Sequence, residues 1–528
     1  MSQNLLRAAL ARREFLCTAE LVLGRDHATH EAERFVEEAA RGQAIRVISV
    51  TDLPGGHPAL PPEAFVAAIA ERGLTPIAHL TGKDGNRSLL EGRLHALARL
   101  GVENVLALTG DAQREAFGGL GKPVHDLDSV LILRLIAALR EGLHYRVGTR
   151  SAESAPFDFF PGAVVNPFKV REPDLMMQLY KLELKIAAGA AFIIPQIGFD
   201  LRKLVELRQY MVREGLDHVP VLANLYVATA KIARLMQAGE VAGCVVPDEL
   251  VRRLEGEKKP QRLERAALML AAVRELGFAG AHIGGYGLVY ADYLKILERA
   301  DEIGGAWRGR MDELTFPYPG GFYLLPRGDD GLSDPAAPYQ LAPARTGASL
   351  LQRVSRLAHR HIIGSGSVGS RFLTPRIKPA ADAAGPGDAD QAWRHGVWPR
   401  LLAPSTVYRH SVLGCVDCGD CIQDHLSYAG CSMHYCYKEL RNGPCGGARP
   451  DGSCEVHPDR PCLWGLVYEA TRAAGEDPRR FARVLIPPRD WRLSGTNALA
   501  NRYADIDNVP RRIELDPARG PAELPKES

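Results

Sequence analysis

The amino-acid sequence predicts an α/β fold, an eight-stranded parallel β/α (TIM) barrel followed by a small cysteine-rich, metal-binding C-terminal domain. Short β-rich runs alternate with longer helical patterns over roughly the first 300 residues, as in βα units around a parallel sheet. No Gly-x-Gly-x-x-Gly turn follows the first strand, so an open doubly wound sheet is the less favoured alternative. Eight of the ten cysteines lie between Cys415 and Cys462, and clustered thiols without an oxidising compartment indicate metal.

Size and composition predict a cytoplasmic protein of more than one domain. A chain of 528 residues is too long for one ordinary domain. Its 46% hydrophobic and 24% charged residues are typical of a soluble globular protein. The net charge of +2 favours neither nucleic acid nor an anionic membrane as a partner. The first residues, MSQNLLRAALARREF, lack the apolar core of a secretory signal, and no apolar run reaches the ~20 residues of a membrane span.

Eight β-rich runs provide the strands of the predicted barrel. They are LCTAELVL, IRVISVTD, TPIAHLTG, NVLALTGD, FFPGAVVN, AFIIPQIGF, VPVLANLYV and GAHIGGYG. Helical segments such as HEAERFVEEAARG and NRSLLEGRLHALARLG separate them, and several end in Gly, a common helix stop. Eight such repeats within roughly 250–300 residues fit a closed barrel.

Changes in composition predict the domain boundaries. The barrel is expected over residues 1–312, and a Pro- and Gly-rich linker over 313–400 with a strand-like FYLLP and one helix, SLLQRVSRLAHRHII. The cysteine-rich domain is expected over 401–500. Residues 501–528 are polar and Pro-rich, which predicts an extended tail.

Polar residues near the ends of the predicted strands indicate an active site, because this fold keeps its chemistry at the carboxyl ends of the strands. Glu20 lies inside an apolar run, where an unpaired carboxylate is costly to bury. Taken alone, each such residue could be a helix cap or a satisfied core group, but their convergence favours a functional cavity. The other members of the set are Thr51, Asp52, His79, Asp111, Gln196, Asn224 and His282.

Four sequence blocks carry a resemblance to a known family. VISVTD, PIAHLTGKD, GVENVLALTGD and KIAAGAAFIIPQIGFD occur in an order and spacing similar to those of methylenetetrahydrofolate reductases. The resemblance covers most of residues 10–300. It implies a flavin in the barrel mouth, FAD with FMN as the alternative, that is reduced by NAD(P)H or a redox partner protein. The reduced flavin would then convert methylenetetrahydrofolate to methyltetrahydrofolate.

The resemblance also implies roles for individual residues. Glu20 matches the general acid that opens the folate's five-membered ring, and burial in an apolar barrel is expected to disfavour its charged form. Asp111 matches an aspartate near flavin and pterin that stabilises the developing cation. Gln196 matches a glutamine that binds the pterin, and Asn224 and Tyr286 are further candidates for binding substrate.

The implied flavin contacts include departures from the family pattern. Thr51, His79 and Lys185 match positions that line the flavin, although Lys185 could instead be a solvated helix lysine. FFPGAVVNPF replaces a Y-P-x-x-H-P pattern, so Phe160 is taken for the tyrosine and Asn166 for the histidine. Thr109 replaces an arginine, and Leu225, with Tyr226 beside it, replaces an aromatic residue at the nicotinamide site.

The cysteine pattern predicts a metal domain without fixing the metal. Three cysteines at x2 spacing on one loop suit an iron–sulfur cluster, whereas zinc also accepts C-x2-C pairs and could use His425, His434 or His457. One four-thiolate site with four free cysteines and two sites both remain open. The predicted ligands are Cys415, Cys418, Cys421, Cys431, Cys436, Cys445, Cys454 and Cys462.

The cysteine-rich segment resembles a C-terminal extension or partner subunit of some reductases of this family. The similar features are C-x2-C-x2-C, L-x-N-G-P-C-G-G and G-x-C-E-V over about residues 415–465. A module that passes electrons to the flavin and a purely structural module are both compatible with this resemblance.

Three other functions compete with the reductase. The same site could oxidise methyltetrahydrofolate, because direction depends on the donor. The barrel could be a pterin-binding methyltransferase module without redox activity, or a docking platform in an electron-transfer subunit. A homo-oligomer is also open, since the sequence does not fix the oligomeric state.

Overall fold

Eight parallel strands form a closed barrel in the computed structural model, which describes residues 4–25, 28–343, 349–364, 366–383 and 396–517. The strands are β1 Leu16–Leu21, β2 Val47–Val50, β3 Thr75–Thr81, β4 Asn104–Leu108, β5 Phe160–Val165, β6 Phe192–Pro195, β7 Leu222–Tyr226 and β8 Gly280–Gly284. They neighbour one another in the order β6-β5-β4-β3-β2-β1-β8-β7. A parallel bridge between Ile193 and Val221 joins β6 to β7 and closes the ring, so the predicted TIM barrel is confirmed.

Helices surround this barrel and follow the βα alternation that the sequence predicts. They are α1 Leu5–Ala11, α2 Ala28–Gly42, α3 Glu63–Glu71, α4 Arg87–Arg99, α5 Ser129–Glu141, α6 Glu172–Ala187, α7 Leu201–Arg213, α8 Ala230–Gln237, α9 Asp248–Glu255, α10 Lys259–Glu275 and α11 Tyr290–Ile303. Asn86, Asp128 and Asp200 cap the first turns of α4, α5 and α7 through their side chains. Among the helices of the described ranges, none combines the length and apolarity needed to cross a membrane.

Side chains along each strand alternate between the helix layer and the barrel interior. Ala19, Ile48 and Ala78 face outward and join the main core between strands and helices. A separate inner cluster fills the interior and is closed at the amino end by Leu6 and Leu10 of α1. Its strand members are Val47, Ile77, Leu106, Phe192, Ile194 and Leu222. At the carboxyl end, the inward-facing positions are occupied by polar residues that include Glu20, Thr51 and His79.

The first part of the predicted linker packs against the barrel. Leu324 and Leu325 are fully buried. The backbone of Leu325 accepts a hydrogen bond from Arg202 at 2.8 Å and donates one to Glu206 at 2.8 Å, both on α7. The FYLLP segment is therefore an extended, buried connection that forms no strand.

Two helices occupy the rest of the predicted linker. Helix α12, Leu350–Ala358, lies in the segment that the sequence predicts as helical and ends in a π-turn over His359–Ile363. Helix α13, Val368–Ala383, is a second helix, whereas the sequence predicts only one in this linker. Residues 384–395 lie outside the described residues.

The cysteine-rich domain consists of short elements joined by loops. They are α14 Val397–Leu401, α15 Ala403–Leu413, α16 Ser432–Tyr435, α17 Leu463–Ala473, α18 Arg480–Arg483, β9 Val484–Leu485, α19 Ala498–Tyr503 and β10 Ile513–Glu514. Helices α17 and α18 lie against α6 of the barrel. The domain is thus docked on one side of the barrel.

The expectation of an extended polar tail from residue 501 is wrong as far as residue 517. Strand β10 pairs with β9, and Asn501 and Asn508 are buried. Asn501 donates to the Gly419 carbonyl at 2.8 Å and Asn508 to the Cys421 carbonyl at 2.9 Å. These polar side chains satisfy the backbone of the first cysteine loop, which explains their burial. Residues 518–528 lie outside the described ranges.

A buried ion pair between Lys181 and Asp128 is expected to contribute to stability. Lys181 Nζ lies 2.9 Å from Asp128 and 3.2 Å from the Gly443 carbonyl, and both charged side chains are nearly inaccessible. Lys181→Met should lower the free energy of unfolding by about 3–5 kcal/mol, because it leaves Asp128 buried without its cation. Urea denaturation measures this change. Lys378→Met, which removes the exposed pair with Asp505, is the control and should change little.

Candidate functional site

Two carboxylates assigned from the sequence lie at the same end of the barrel. Glu20 is on the carboxyl half of β1, and Asp111 follows β4. The buried thiol of Cys244 lies in the connection after α8. Burial raises its pKa to about 12; the charges of Asp111 and Glu20 add to the rise, and Lys169 opposes it. The barrel mouth therefore brings the proposed acid and the proposed counter-charge together.

Glu20 is the end of a hydrogen-bonded chain across β1 and β8. Its Oε2 lies 3.1 Å from His282 Nε2, and His282 Nδ1 lies 2.7 Å from Thr18 Oγ1. Burial raises the pKa of Glu20, but the hydrogen bond with His282 and the electrostatic interactions with His282 and His79 together leave it below its ordinary value. The expectation that the charged form of Glu20 is disfavoured overall is therefore wrong, because the sequence does not show the imidazole beside it.

Asp111 has a different environment, which favours its neutral form. Its Oδ2 accepts a hydrogen bond from the Gly55 amide at 3.1 Å. Burial raises the pKa of Asp111 above its ordinary value, and the charge of Glu455 adds to this rise. The charge of Lys438, the hydrogen bond from the Gly55 amide and the charge of Lys83 oppose the rise without cancelling it. Two of these groups, Lys438 and Glu455, belong to the cysteine-rich domain.

Several inward-facing polar atoms have no protein partner. Ser49 Oγ, Thr51 Oγ1 and His79 Nε2 are buried and make no hydrogen bond within the described structure. Burial lowers the pKa of His79 to about 4, so its imidazole is neutral at physiological pH. Unpaired buried polar atoms are costly unless a ligand satisfies them. Thr51 and His79 therefore fit the polar edge of a heterocycle such as a flavin.

Four other predicted site residues are bonded to protein atoms. Asn166 Nδ2 donates to the carbonyls of Gly243 at 2.8 Å and Gly446 at 3.0 Å. Asn224 donates to the Pro195 carbonyl at 3.0 Å, and Gln196 donates to that of Ala242 at 3.5 Å. Lys185 donates to the Val164 carbonyl at 2.5 Å. Their predicted contacts with flavin and pterin remain predictions.

Lys185 is not a solvated helix lysine. It is buried, and burial, together with the Lys181 charge, lowers its pKa to about 7 despite opposing contributions from Asp128 and Cys445. A lysine with this pKa exists in both charge states near neutral pH.

Two sequence expectations are wrong because they place a side chain on the wrong part of the barrel. Phe160 is the first residue of β5, stacks on Phe192 at 5.6 Å between ring centroids and belongs to the inner cluster at the amino end. It lies at the opposite end from Glu20 and cannot contact a ligand in the mouth. Asp52 faces outward, accepts from the Thr81 amide at 2.8 Å and pairs with Arg93 at 3.0 Å, so it is structural.

The aromatic side chain of the site is Tyr226. A Cβ on Gly284 would lie 3.5 Å from Glu20 and 3.6 Å from Tyr226, which places both side chains around this glycine. Leu225 faces outward into the main core. Tyr286, predicted to bind substrate, lies on the loop after β8 with 77% of its surface exposed, and its role remains a prediction.

The cysteine-rich domain lies against the barrel mouth, a contact that no sequence pattern predicts. Lys438 donates to the Gly110 carbonyl at 2.7 Å and pairs with Glu455. Lys169, directly after β5, donates to the Ala448 carbonyl at 2.7 Å. No spacing or composition signal indicates that these side chains cross between domains.

The eight clustered cysteines form two sets of four. Cys415, Cys418, Cys421 and Cys431 line one cleft. Burial raises the pKa of Cys431, and the other three thiols add to the rise. The second set is Cys436, Cys445, Cys454 and Cys462. Burial raises the pKa of Cys436, Cys445 and Cys462. Neighbouring thiols add to the rise: Cys454 acts on Cys436, and both Cys436 and Cys445 act on Cys462.

The two cysteine sets could hold zinc or iron–sulfur clusters. Four thiolates complete a tetrahedral zinc site, and four thiolates also hold a four-iron cluster. Among the described residues, His410, Cys415 and Asp417 form a group of metal-ligating side chains whose ligand atoms lie within 4.8 Å of one another. The identity of the metal therefore remains a prediction.

The histidines considered as zinc ligands make ring contacts instead. His425 is buried edge-on against Phe481, His434 lies against Tyr435, and His457 lies against Tyr437. None of the three belongs to a described group of clustered metal-ligating side chains.

Comparisons with known proteins match both parts of the chain. The family model described as methylenetetrahydrofolate reductase matches residues 5–277, and the one described as methylene-tetrahydrofolate reductase C terminal matches residues 402–492. Methylenetetrahydrofolate reductase 2 of Schizosaccharomyces pombe is 23% identical over 183 residues, 34% of this chain. The match spans only 27% of that relative's length.

Solved structures with a similar fold are distant in sequence. An uncharacterized protein from Clostridium thermocellum that binds two copies of 5-methyl-5,6,7,8-tetrahydrofolic acid is 13% identical, with a TM-score of 0.40, over 57% of this chain and 98% of that one. A 2,3-dimethylmalate lyase of the PEP mutase/isocitrate lyase superfamily is 14% identical, with a TM-score of 0.33, over 56% of this chain and 84% of that one.

Proposed function

Because this chain belongs to the methylenetetrahydrofolate reductase family, we propose that it catalyses the flavin-dependent reduction of 5,10-methylenetetrahydrofolate to 5-methyltetrahydrofolate. The matches confirm the resemblance of both the barrel and the cysteine-rich domain, and the oxidoreductase class predicted for the chain is that of the family. The observation that carries the proposal is the Glu20–His282 pair, which shares the barrel mouth with Asp111 and with unpartnered polar atoms.

The flavin is proposed to bind at the barrel mouth. Thr51 and His79 would donate or accept hydrogen bonds at the edge of its ring, because their buried polar atoms lack protein partners. A bound flavin supplies hydride chemistry that no side chain of the chain can perform. FAD and FMN share this ring, so the contacts support a flavin without selecting between them.

The proton chemistry is assigned to the Glu20–His282 pair. The pair would hold one dissociable proton between Glu20 Oε2 and His282 Nε2, which lie 3.1 Å apart, while Thr18 Oγ1 lies 2.7 Å from the other ring nitrogen. Opening of the folate's five-membered ring requires a proton on the departing amine nitrogen. Glu20 would deliver the proton of the pair to that nitrogen, which leaves a Glu20 carboxylate beside an uncharged His282 ring, and solvent would then return a proton to the pair. The pair, and not an isolated carboxyl group, is therefore the proposed general acid.

Asp111 is proposed to stabilise positive charge on the opened substrate. An iminium ion forms when the ring opens, and a carboxylate at the mouth lowers its energy before hydride arrives. The raised pKa of Asp111, caused chiefly by burial, means that a nearby cation favours its ionised form.

The two cysteine sets are proposed to hold two four-iron clusters. Each set offers four thiols, the number that a four-iron cluster requires. When bound, such clusters store and transfer single electrons. The position of the domain against the mouth supports a redox partner protein, more than NAD(P)H, as the electron donor.

Anaerobic purification followed by visible spectroscopy tests the proposal. We expect flavin and iron–sulfur absorption, bleaching by NADH, NADPH or reduced ferredoxin, and reoxidation by methylenetetrahydrofolate with formation of methyltetrahydrofolate. Adding methyltetrahydrofolate to the oxidised protein tests the reverse reaction at the same site. A protein that binds methyltetrahydrofolate but neither contains nor takes up flavin would overturn the reductase assignment and favour the methyltransferase-type alternative.

A further inference from the structure

One lysine of the cysteine-rich domain reaches the catalytic end of the barrel. Lys438 is buried, and its Nζ donates to the Gly110 carbonyl at 2.7 Å. Gly110 immediately precedes Asp111, the proposed counter-charge. A residue more than 300 positions away in sequence therefore bonds directly to the turn that presents Asp111.

The turn at Gly110 depends on close contacts. Gly110 has φ +87°, which favours glycine, and a Cβ there would lie 2.9 Å from Lys83. Lys83 is itself buried and paired with Asp84. Since the turn has little room to relax, a hydrogen bond to its carbonyl determines the direction in which the Asp111 side chain leaves the backbone.

Lys438 is held from its own side as well. It pairs with the buried Glu455, which follows Cys454, and it lies two residues after Cys436. The neighbouring loop is bound by the barrel through Lys169, which donates to Ala448, and Asn166, which donates to Gly446. Lys438 is thus held by Glu455 on its own domain and by the Gly110 carbonyl on the barrel.

We propose that Lys438 is a positioning residue of the reductase site, supplied by the cysteine-rich domain, which holds the Gly110 turn and places a fixed positive charge beside Asp111. This inference rests on the proposed function of Asp111. Burial raises the pKa of Asp111, and Lys438 is the largest opposing influence, in agreement with the geometry. The barrel alone would therefore contain the catalytic groups but lack the contact that orients one of them.

The experiment compares four forms of the full-length holoprotein. Lys438→Met removes the hydrogen bond and the charge, and Lys438→Arg keeps a charged donor. Lys438→Met combined with Glu455→Gln avoids leaving a buried carboxylate unpaired, so it guards against a variant that fails to fold. Trp491→Phe is the matched control, because it removes a different hydrogen bond across the same interface, 2.8 Å to Asp126. Iron and flavin per chain are measured for each.

Two readouts are then taken. The first is kcat and KM for methylenetetrahydrofolate. Both methionine forms should lose about tenfold in kcat, because the turn that presents Asp111 is no longer held, while Lys438→Arg recovers most of the loss. The second is amide hydrogen exchange of residues 109–113, which should quicken in the methionine forms and not in the tryptophan control.

The outcomes separate this inference from the proposed function. Unchanged kcat and unchanged exchange in both methionine forms, with iron and flavin retained, would overturn the role of Lys438. An equal loss in Trp491→Phe would also overturn it, because the effect would then come from domain docking in general. Absence of folate turnover in the unmodified protein would remove the reductase proposal alone, since exchange at 109–113 still tests the hold of Lys438 on this turn.

Discussion

Glu20→Gln is expected to reduce folate turnover by about 10²–10⁴-fold, the usual contribution of general acid–base catalysis, while the donor still reduces the bound flavin. The amide keeps the shape of the side chain and a hydrogen-bond acceptor for His282 but cannot pass a proton. Reduction of the flavin does not involve the departing amine, so it should be largely unaffected. Stopped-flow measurement of the two half-reactions separates these effects.

A matched substitution of another acidic residue controls for charge. Glu298 is exposed on α11, and Glu298→Gln should leave both half-reactions unchanged. If Glu20→Gln instead turned over folate at the normal rate, the barrel would have to use another proton source. If it abolished flavin binding as well, the side chain would be a cofactor contact and not an acid.

Replacing a single cysteine of either set is expected to remove about half of the bound iron. Two four-iron clusters give about eight iron atoms per chain. Cys431→Ser should remove about half of this iron, and Cys445→Ser should remove the other half, because each thiol belongs to a separate set of four. Metal analysis together with electron paramagnetic resonance of the reduced protein measures both losses.

The control for these variants is a cysteine outside both sets. Cys17 lies on β1 near the amino end of the barrel, and Cys17→Ser should retain all of the iron. One zinc ion per four cysteines in the unmodified protein, or an identical loss of all metal from both variants, would contradict two independent iron–sulfur sites.

The consequences of these variants for the barrel should differ. The loop that contains Cys445 is bound by Asn166 and Lys169 of the barrel, whereas the loop of the first set accepts hydrogen bonds from Asn501 and Asn508 of its own domain. Loss of the second set should therefore weaken the contact between this domain and the barrel mouth, and loss of the first set should leave that contact in place. We therefore expect the two sets to affect folate turnover differently.

Local sequence determined the barrel and its polar lining. All eight predicted strands are present, because a buried parallel strand needs a short apolar, β-branched run and each run here is bounded by turn residues. Alternation along the strands also determined that Glu20, Thr51 and His79 face inward, since the side-chain period of a strand is two. The cysteine spacing also predicts metal ligands in the C-terminal segment.

Only the tertiary structure decided which distant groups meet. The pKa of Glu20 depends on His282, which lies 262 positions away in the chain, and a charge of that kind cannot be inferred from local polarity. Phe160 fits a sequence pattern, yet its place at the start of β5 puts it at the amino end of the barrel. The division of eight thiols into two sets, and the contact of Lys438 with Gly110, follow from how the two domains fold against each other. Local patterns specify the elements, whereas electrostatics and ligand geometry depend on distances that only the packed chain defines.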